Sequence, residues 1–343
     1  MPFKMILAKL SILLLLFFLS GCGDRQVLVH HQGSTMGTSY SIKYIGSSKT
    51  SDEAKILVEK ALLKFDLEMS NWNPDSWVSL FNTAYRTGDF EVSENVAKII
   101  ELSLDLHQKS SGAFDISVSP LIDLWGFTQH KRSSLPKPEI IEKLQKRIGS
   151  QYLNLDLKNL SLHKSKASLQ INCSALAKGF GVDLIATLLE EELQCQNYMV
   201  EIGGEVRCKG KPPTRNSWRL GIRQPNAKKS GLFGIVDLNN QSLATSGDYH
   251  NFFELDGKRY SHIIDPRTGQ PVQHQLCSVS VISPSCALSD GLATACLVLG
   301  VEKGLKLVQQ YPGAKALMIE RLDNGELRRT MSPGFVYEAQ VGL

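Results

Sequence analysis

Apolar residues at positions 54, 57, 58, 61, 62, 65 and 69 fall on one face of a 3.6-residue repeat. Thr50 and Glu53 stand just ahead of them in the spacing of a capping box, so the pattern predicts a helix opening at Thr50. A second periodic run from about Ser93 to Gln108 stops at Ser110-Ser111-Gly112. A third, from about Pro138 to Ile148, is closed by Gly149. Ser168–Ile171 reads as a strand feeding a helix that runs through about Leu189. The C-terminal half is richer in strand patterns. Tyr40–Ile45, Tyr198–Ile202 and Trp218–Ile222 fit strands, and Phe252–Leu255 and Arg259–Ile263 flank the tight-turn dipeptide Asp256-Gly257. Leu276–Ile282 reads as a buried strand before a helix from about Ala287 to Leu299, and a last hairpin turns at Asp323-Asn324-Gly325. Hairpins interleaved with helices predict an α+β fold with mixed, largely antiparallel sheets and flanking helices.

One apolar run does not belong to that pattern. Leu10–Leu19 follows Lys4 and Lys9 and is too short for the ~20 apolar residues of a spanning helix. Basic, apolar and small residues in this order make a secretory signal. The run ends Leu19-Ser20-Gly21-Cys22, which resembles a bacterial lipobox. That resemblance implies a signal peptide over residues 1–21, lipidation (palmitate included) at Cys22, a tether over 22–26 and one domain over 27–340. The expected location is a bacterial membrane surface on the periplasmic side, with no choice between the two membranes.

The 343 residues are 42% hydrophobic and 21% charged, which excludes a disordered, collagenous or polytopic membrane chain. Net charge is +4, and Lys4 and Lys9 of the leader supply two of those charges. A surface this close to neutral gives no reason to expect nucleic acid as a partner. Cys173, Cys195, Cys208, Cys277, Cys286 and Cys296 form no C-x-x-C pair and no zinc-like cluster. They read as small core residues, with no disulfide assigned.

A P-loop, a G-x-S-x-G elbow and H-E-x-x-H are all missing, and Gly179-Phe180-Gly181 lacks the third glycine of a dinucleotide fingerprint. Four segments remain. Thr35-Met36-Gly37-Thr38 is a turn whose small residues let a ligand approach the backbone. Gly112-Ala113-Phe114-Asp115 places a carboxylate beyond a helix-ending glycine, where it can accept from a polar ring edge, and the aromatic loop Leu124-Trp125-Gly126-Phe127 can cover a flat ligand. Asn172–Gly181 is a strand-to-helix turn of small residues, suited to phosphate or to offering a carbonyl to a metal. Asp290 and Thr294 stand four apart on an otherwise apolar helix, so a carboxylate and a hydroxyl share one face. Hard oxygen ligands from one helical turn suit Mg²⁺. Each segment taken alone also has a plain structural reading as a turn, a helix cap or tight packing.

In this order the segments resemble the ApbE family, the FAD:protein FMN transferases. Ser70-Asn71-Trp72-Asn73-Pro74-Asp75-Ser76, Glu201-Ile202-Gly203-Gly204 and Ser261-His262-Ile263-Ile264-Asp265-Pro266-Arg267-Thr268-Gly269 join the match, which runs from about Thr35 to beyond Gly300. The resemblance implies that Met36, Trp72, Ala113, Phe114, Asp115, Ser174 and Phe180 contact FAD. It implies that the Ala177 carbonyl, Asp290 and Thr294 hold Mg²⁺, and that His262 lies at the active cleft. FMN would pass from FAD to a threonine of a target protein, with subunits of Na⁺-translocating NADH:quinone reductase or Rnf-type complexes as the implied partners. Water in place of threonine would make a Mg²⁺-dependent FAD pyrophosphatase, and a cleft without turnover a flavin-binding or assembly protein. His262 and a carboxylate both remain candidates for the base. The family commonly reads Asp-Leu-Gly-Gly where this chain has Asn172-Cys173-Ser174-Ala175, which predicts altered affinity or loop geometry with the metal ligands intact.

Overall fold

The computed structural model describes residues 27–127, 134–225, 231–249 and 251–339; Cys22 and the lipobox lie outside them. Ser51–Met69 forms the helix expected after Thr50. Both halves of the capping box are made, with the Thr50 N–H donating to Glu53 Oε2 at 2.9 Å. Its buried face is Ala54, Val58, Leu62, Phe65 and Met69, while Leu57 and Ala61 are half-buried. Glu94–Lys109 is capped by the Ser93 hydroxyl, and Pro138–Gln145 stops short of the expected Ile148.

Eight strands make the central sheet, every neighbouring pair antiparallel. Their order is Leu28–Thr35, Thr38–Ile45, Asn197–Ile202, Glu205–Lys209, Gln241–Gly247, Leu276–Ser283, Lys315–Arg321, Leu327–Met331. Side chains alternate between faces along a strand, and Lys315–Arg321 shows the consequence. Ala316 and Met318 pack in the cluster that holds Leu292 and Cys296 of helix Cys286–Leu299. Leu317 and Ile319 pack in the cluster of Trp218 and Val236, which belong to a second, three-stranded sheet. Helices therefore cover one face and the small sheet the other, and Leu276–Ser283 between them is buried along its whole length.

Ser168–Ile171 is the exception to the expected elements. It is not a strand, because side chains rather than a neighbouring strand hold its backbone. Asn82 accepts the Ile171 N–H on Oδ1 at 2.7 Å and donates Nδ2 to the Ile171 carbonyl at 2.8 Å. The buried Lys164 ammonium donates to the carbonyls of Leu169, Phe81 and Ala84. This brace delivers the chain to Ser174, where the helix Ser174–Glu191 begins.

The six described cysteines are buried and unpaired. Burial pushes the Cys173 and Cys296 thiols up to about 12. Among the described residues no helix is long and apolar enough to cross a membrane.

Candidate active site

Helices Ser174–Glu191 and Cys286–Leu299 pack with backbone against backbone at Gly179. A Cβ there would meet the Cys286 carbonyl oxygen at 2.5 Å and the Ala287 Cα at 2.9 Å. One turn on, Asp183 accepts the N–H groups of Cys286 and Ala287 at 3.0 and 2.9 Å and fastens the start of the second helix to the first. Next to this junction is a cavity of about 450 Å³, closed by the sheet residues Thr245-Ser246-Gly247 and by the segment Ala113–Ile116.

The cavity wall brings together Ala113, Phe114, Asp115, Ser174, His262, Asp290 and Thr294 from the expected set. Four others lie off it. Ala177 and Phe180 turn toward the core, where Phe180 stacks on Phe65 at 5.4 Å between ring centroids. Ser174, Ala175 and Lys178 occupy the cavity side of the helix instead. Met36 sits in the tight turn between the first two strands at φ +48°, its methyl against Gly181. Trp72 is 70% exposed in a turn held by the Ser70 hydroxyl, which accepts the N–H groups of Trp72 and Asn73.

Asp290 is 3% exposed, and its Oδ2 accepts the Gly179 N–H at 3.0 Å. In a regular helix that N–H serves the carbonyl of residue 175, and Ala175 lines the cavity, which puts a second backbone carbonyl beside Asp290. Thr294 Oγ1 lies 3.2 Å from the Ser246 hydroxyl. Behind Asp290 stand Lys178 and Glu205, with Lys178 Nζ 2.6 Å from Glu205 Oε1. Burial and then the charge of Asp290 push Glu205 up to about 8, against the pull of Lys178. Burial raises Asp290 as well, against Lys178 and the Gly179 N–H. Burial also works against the Lys178 ammonium, but Asp290 and Glu205 outweigh it and raise its pKa.

One ammonium thus faces two carboxylates, and Glu205 Oε2 is buried without a hydrogen-bond partner. That surplus of negative oxygen fits a divalent cation. Among the described residues no group of three or more His, Cys, Asp or Glu side chains could hold a metal. Asp290, the Thr294 hydroxyl and a backbone carbonyl make a hard oxygen set of the kind Mg²⁺ takes with waters.

Asp115 lines the cavity and also holds its own loop. Its Oδ1 accepts the Ser117 N–H, the Ser117 hydroxyl and the Ser150 hydroxyl at 2.8, 2.6 and 2.7 Å, and its Oδ2 the Ser150 N–H at 3.1 Å. The carboxylate braces the loop that carries Ala113 and Phe114 into the wall. His262 Nδ1 lies 3.0 Å from the Asn251 carbonyl. A carbonyl only accepts, so in the neutral ring Nδ1 carries the proton and Nε2 is the acceptor.

A cavity lined by carboxylates, hydroxyls and an apolar wall on an antiparallel α+β scaffold defines a class, and comparison with known proteins narrows it. The model of the ApbE family matches residues 36–318. The chain is 37% identical over 322 residues to a FAD:protein FMN transferase of Haemophilus influenzae, covering 92% of each. It is 38% identical over 315 residues to the FAD:protein FMN transferase of Vibrio cholerae, covering 90% of this chain and 92% of the relative. The flavin transferase ApbE of Vibrio cholerae superposes with a TM-score of 0.81 at 35% identity, over 90% of this chain and 98% of the other. The flavinyl transferase ApbE of Pseudomonas stutzeri gives 0.80 at 35%, over 90% and 95%. The chain belongs to the ApbE family.

Lys178, Ala175 and Glu205 are among the cavity residues that the sequence left without a role. A signal for Glu205 was present: it directly follows Gly203-Gly204, whose φ angles of +63° and +106° turn the chain into strand Glu205–Lys209.

Proposed function

We propose that this chain is a Mg²⁺-dependent FAD:protein FMN transferase that joins FMN through its phosphate to a threonine of a membrane redox protein. The observation that carries the reading is the buried Asp290 carboxylate beside the Thr294 hydroxyl in a cavity with more carboxylate than ammonium. The names of its relatives agree with transfer of FMN from FAD to a protein. In the reaction the threonine oxygen bonds to the FMN-side phosphorus while the pyrophosphate P–O bond breaks, and that electron pair leaves with AMP. The hydroxyl proton goes to Nε2 of His262, whose ring the Asn251 carbonyl orients. Asp290, Thr294 and the Ala175 carbonyl would hold Mg²⁺, which when bound offsets the charge of the pyrophosphate and of the departing AMP. Phe114 and Ala113 give an apolar wall for the flavin, and the exposed Trp72 would stack on a ring of the bound nucleotide.

The test is incubation with FAD, Mg²⁺ and a threonine-bearing domain of a quinone reductase or Rnf-type subunit. Flavin that stays on the target through denaturation supports transfer. AMP release without a labelled target means hydrolysis by water, and intact FAD retained by the protein means a carrier.

The lipobox reading makes Cys22 the anchor on the periplasmic side of the membrane. Cys22→Ser should leave the protein in the soluble fraction after cell lysis, because the thiol is the acylation site. A Cys22→Ser protein that sediments with membranes as the parent does would refute the anchor.

A further inference from the structure

The proposed reaction needs Asp290 to be open to a cation, yet an ammonium shares its cavity. Lys178 adjoins Gly179, the residue whose N–H binds Asp290 Oδ2 at 3.0 Å. Its stem is long and flexible, so Nζ has two buried carboxylates to choose from. In the structure it has chosen Glu205, at 2.6 Å. Glu205 is 3% exposed and mounted at the start of Glu205–Lys209, an interior strand of the large sheet. Its second oxygen, Oε2, is buried on the cavity wall and has no hydrogen-bond partner.

We infer that Glu205 is a positioning residue: it draws the Lys178 ammonium away from Asp290 and so leaves the Asp290 carboxylate to a divalent cation. This inference rests on the cation reading of the site. An ammonium tethered within reach of a carboxylate competes at a high effective concentration, and it occupies the same lone pairs that a hard cation needs. A fixed carboxylate on rigid sheet holds that competitor in place. The unused Oε2 keeps acceptor capacity for the ammonium as it shifts. Removing the Glu205 charge should therefore weaken cation binding even though Glu205 need not touch the cation.

The experiment is a Mn²⁺ titration of the full-length protein followed by electron paramagnetic resonance. It is run without FAD. Glu205→Gln should weaken Mn²⁺ by about tenfold or more, because Lys178 then pairs with Asp290. Adding Lys178→Met to Glu205→Gln should return the affinity to within about threefold of the parent. Lys178→Met alone should bind Mn²⁺ as the parent does or more tightly, and this variant decides the matter if Glu205→Gln fails to fold. Asp290→Ala should abolish binding, which identifies the titrated site. Unchanged affinity in Glu205→Gln overturns the inference, as does a double variant still as weak as Glu205→Gln, which would make Glu205 a ligand or a structural support. A weaker Lys178→Met also overturns it. A parent that binds no Mn²⁺ overturns the cation reading itself.

Discussion

Asp290→Ala should cost at least two orders of magnitude in flavin transfer while the protein stays folded. Asp290 supplies the only full negative charge among Asp290, Thr294 and the Ala175 carbonyl, so its loss removes most of the hold on a divalent cation. Forfeiting several kcal/mol of charge stabilisation at ~1.4 kcal/mol per tenfold accounts for the size of the effect. The fold has little to lose. The Gly179 N–H that Asp290 accepts can return wholly to the Ala175 carbonyl, and Lys178 and Glu205 remain as a balanced pair. The melting temperature of the metal-free variant should therefore equal or exceed that of the parent. FAD affinity should fall far less than rate, because Ala113 and Phe114 are untouched. Normal turnover of Asp290→Ala at the parent's Mg²⁺ optimum would show that the site is misassigned.

The second large effect should come from a methyl group. Gly179→Ala puts a Cβ within 2.5 Å of the Cys286 carbonyl oxygen and 2.8 Å of its carbon, and all three nearest atoms are backbone. No rotamer change relieves that contact, so the two helices must separate. Overpacking of this kind costs roughly 1–3 kcal/mol, occasionally more. The shift is roughly 2–4 °C per kcal/mol for 150–250 residues and smaller for a longer chain, so a fall of a few degrees is expected in thermal unfolding. Separation also moves Asp290 from the Gly179 N–H, so turnover should drop with stability. Gly181→Ala is the control two residues away. There the Cβ would meet the Met36 methyl at 2.6 Å, the far end of a flexible side chain that can move. If Gly179→Ala melts no lower than Gly181→Ala, the close helix contact is not tight.

The helices with caps and a clean apolar face were legible from the sequence, because Thr50, Ser93 and the alternation of buried positions are local signals. Asp256-Gly257 was legible for the same reason: φ angles of +51° and +73° make it the tight turn that the dipeptide favours. Leu28–Thr35 carries no such signal. Its side chains are mostly polar, since it is the edge of the sheet with one neighbour, and little of it is buried. Ser168–Ile171 was misread because alternation cannot tell a paired strand from an extended segment clamped by Asn82. The site divides along similar lines. Asp290 and Thr294 could be found as polar residues four apart in an apolar helix. Lys178 and Glu205 could not be paired, because they meet only after two separate elements pack. Asp115 was found, but its acceptors go to Ser117 and Ser150, partners that spacing alone did not reveal.

The six buried thiols bear on how this chain must mature. Oxidants attack the thiolate, and burial holds Cys173 and Cys296 at about 12 and Cys195 and Cys277 at about 11, so the native protein exposes almost none. That protection belongs to the folded state alone. Before the core closes, the same thiols are ordinary ones, reactive toward each other and toward any disulfide catalyst of an oxidising compartment. A crosslink formed then would trap sulfurs that the finished fold leaves unbonded. In the periplasmic location proposed above, folding and oxidation would race for this chain, and a native molecule would be one in which folding finished first.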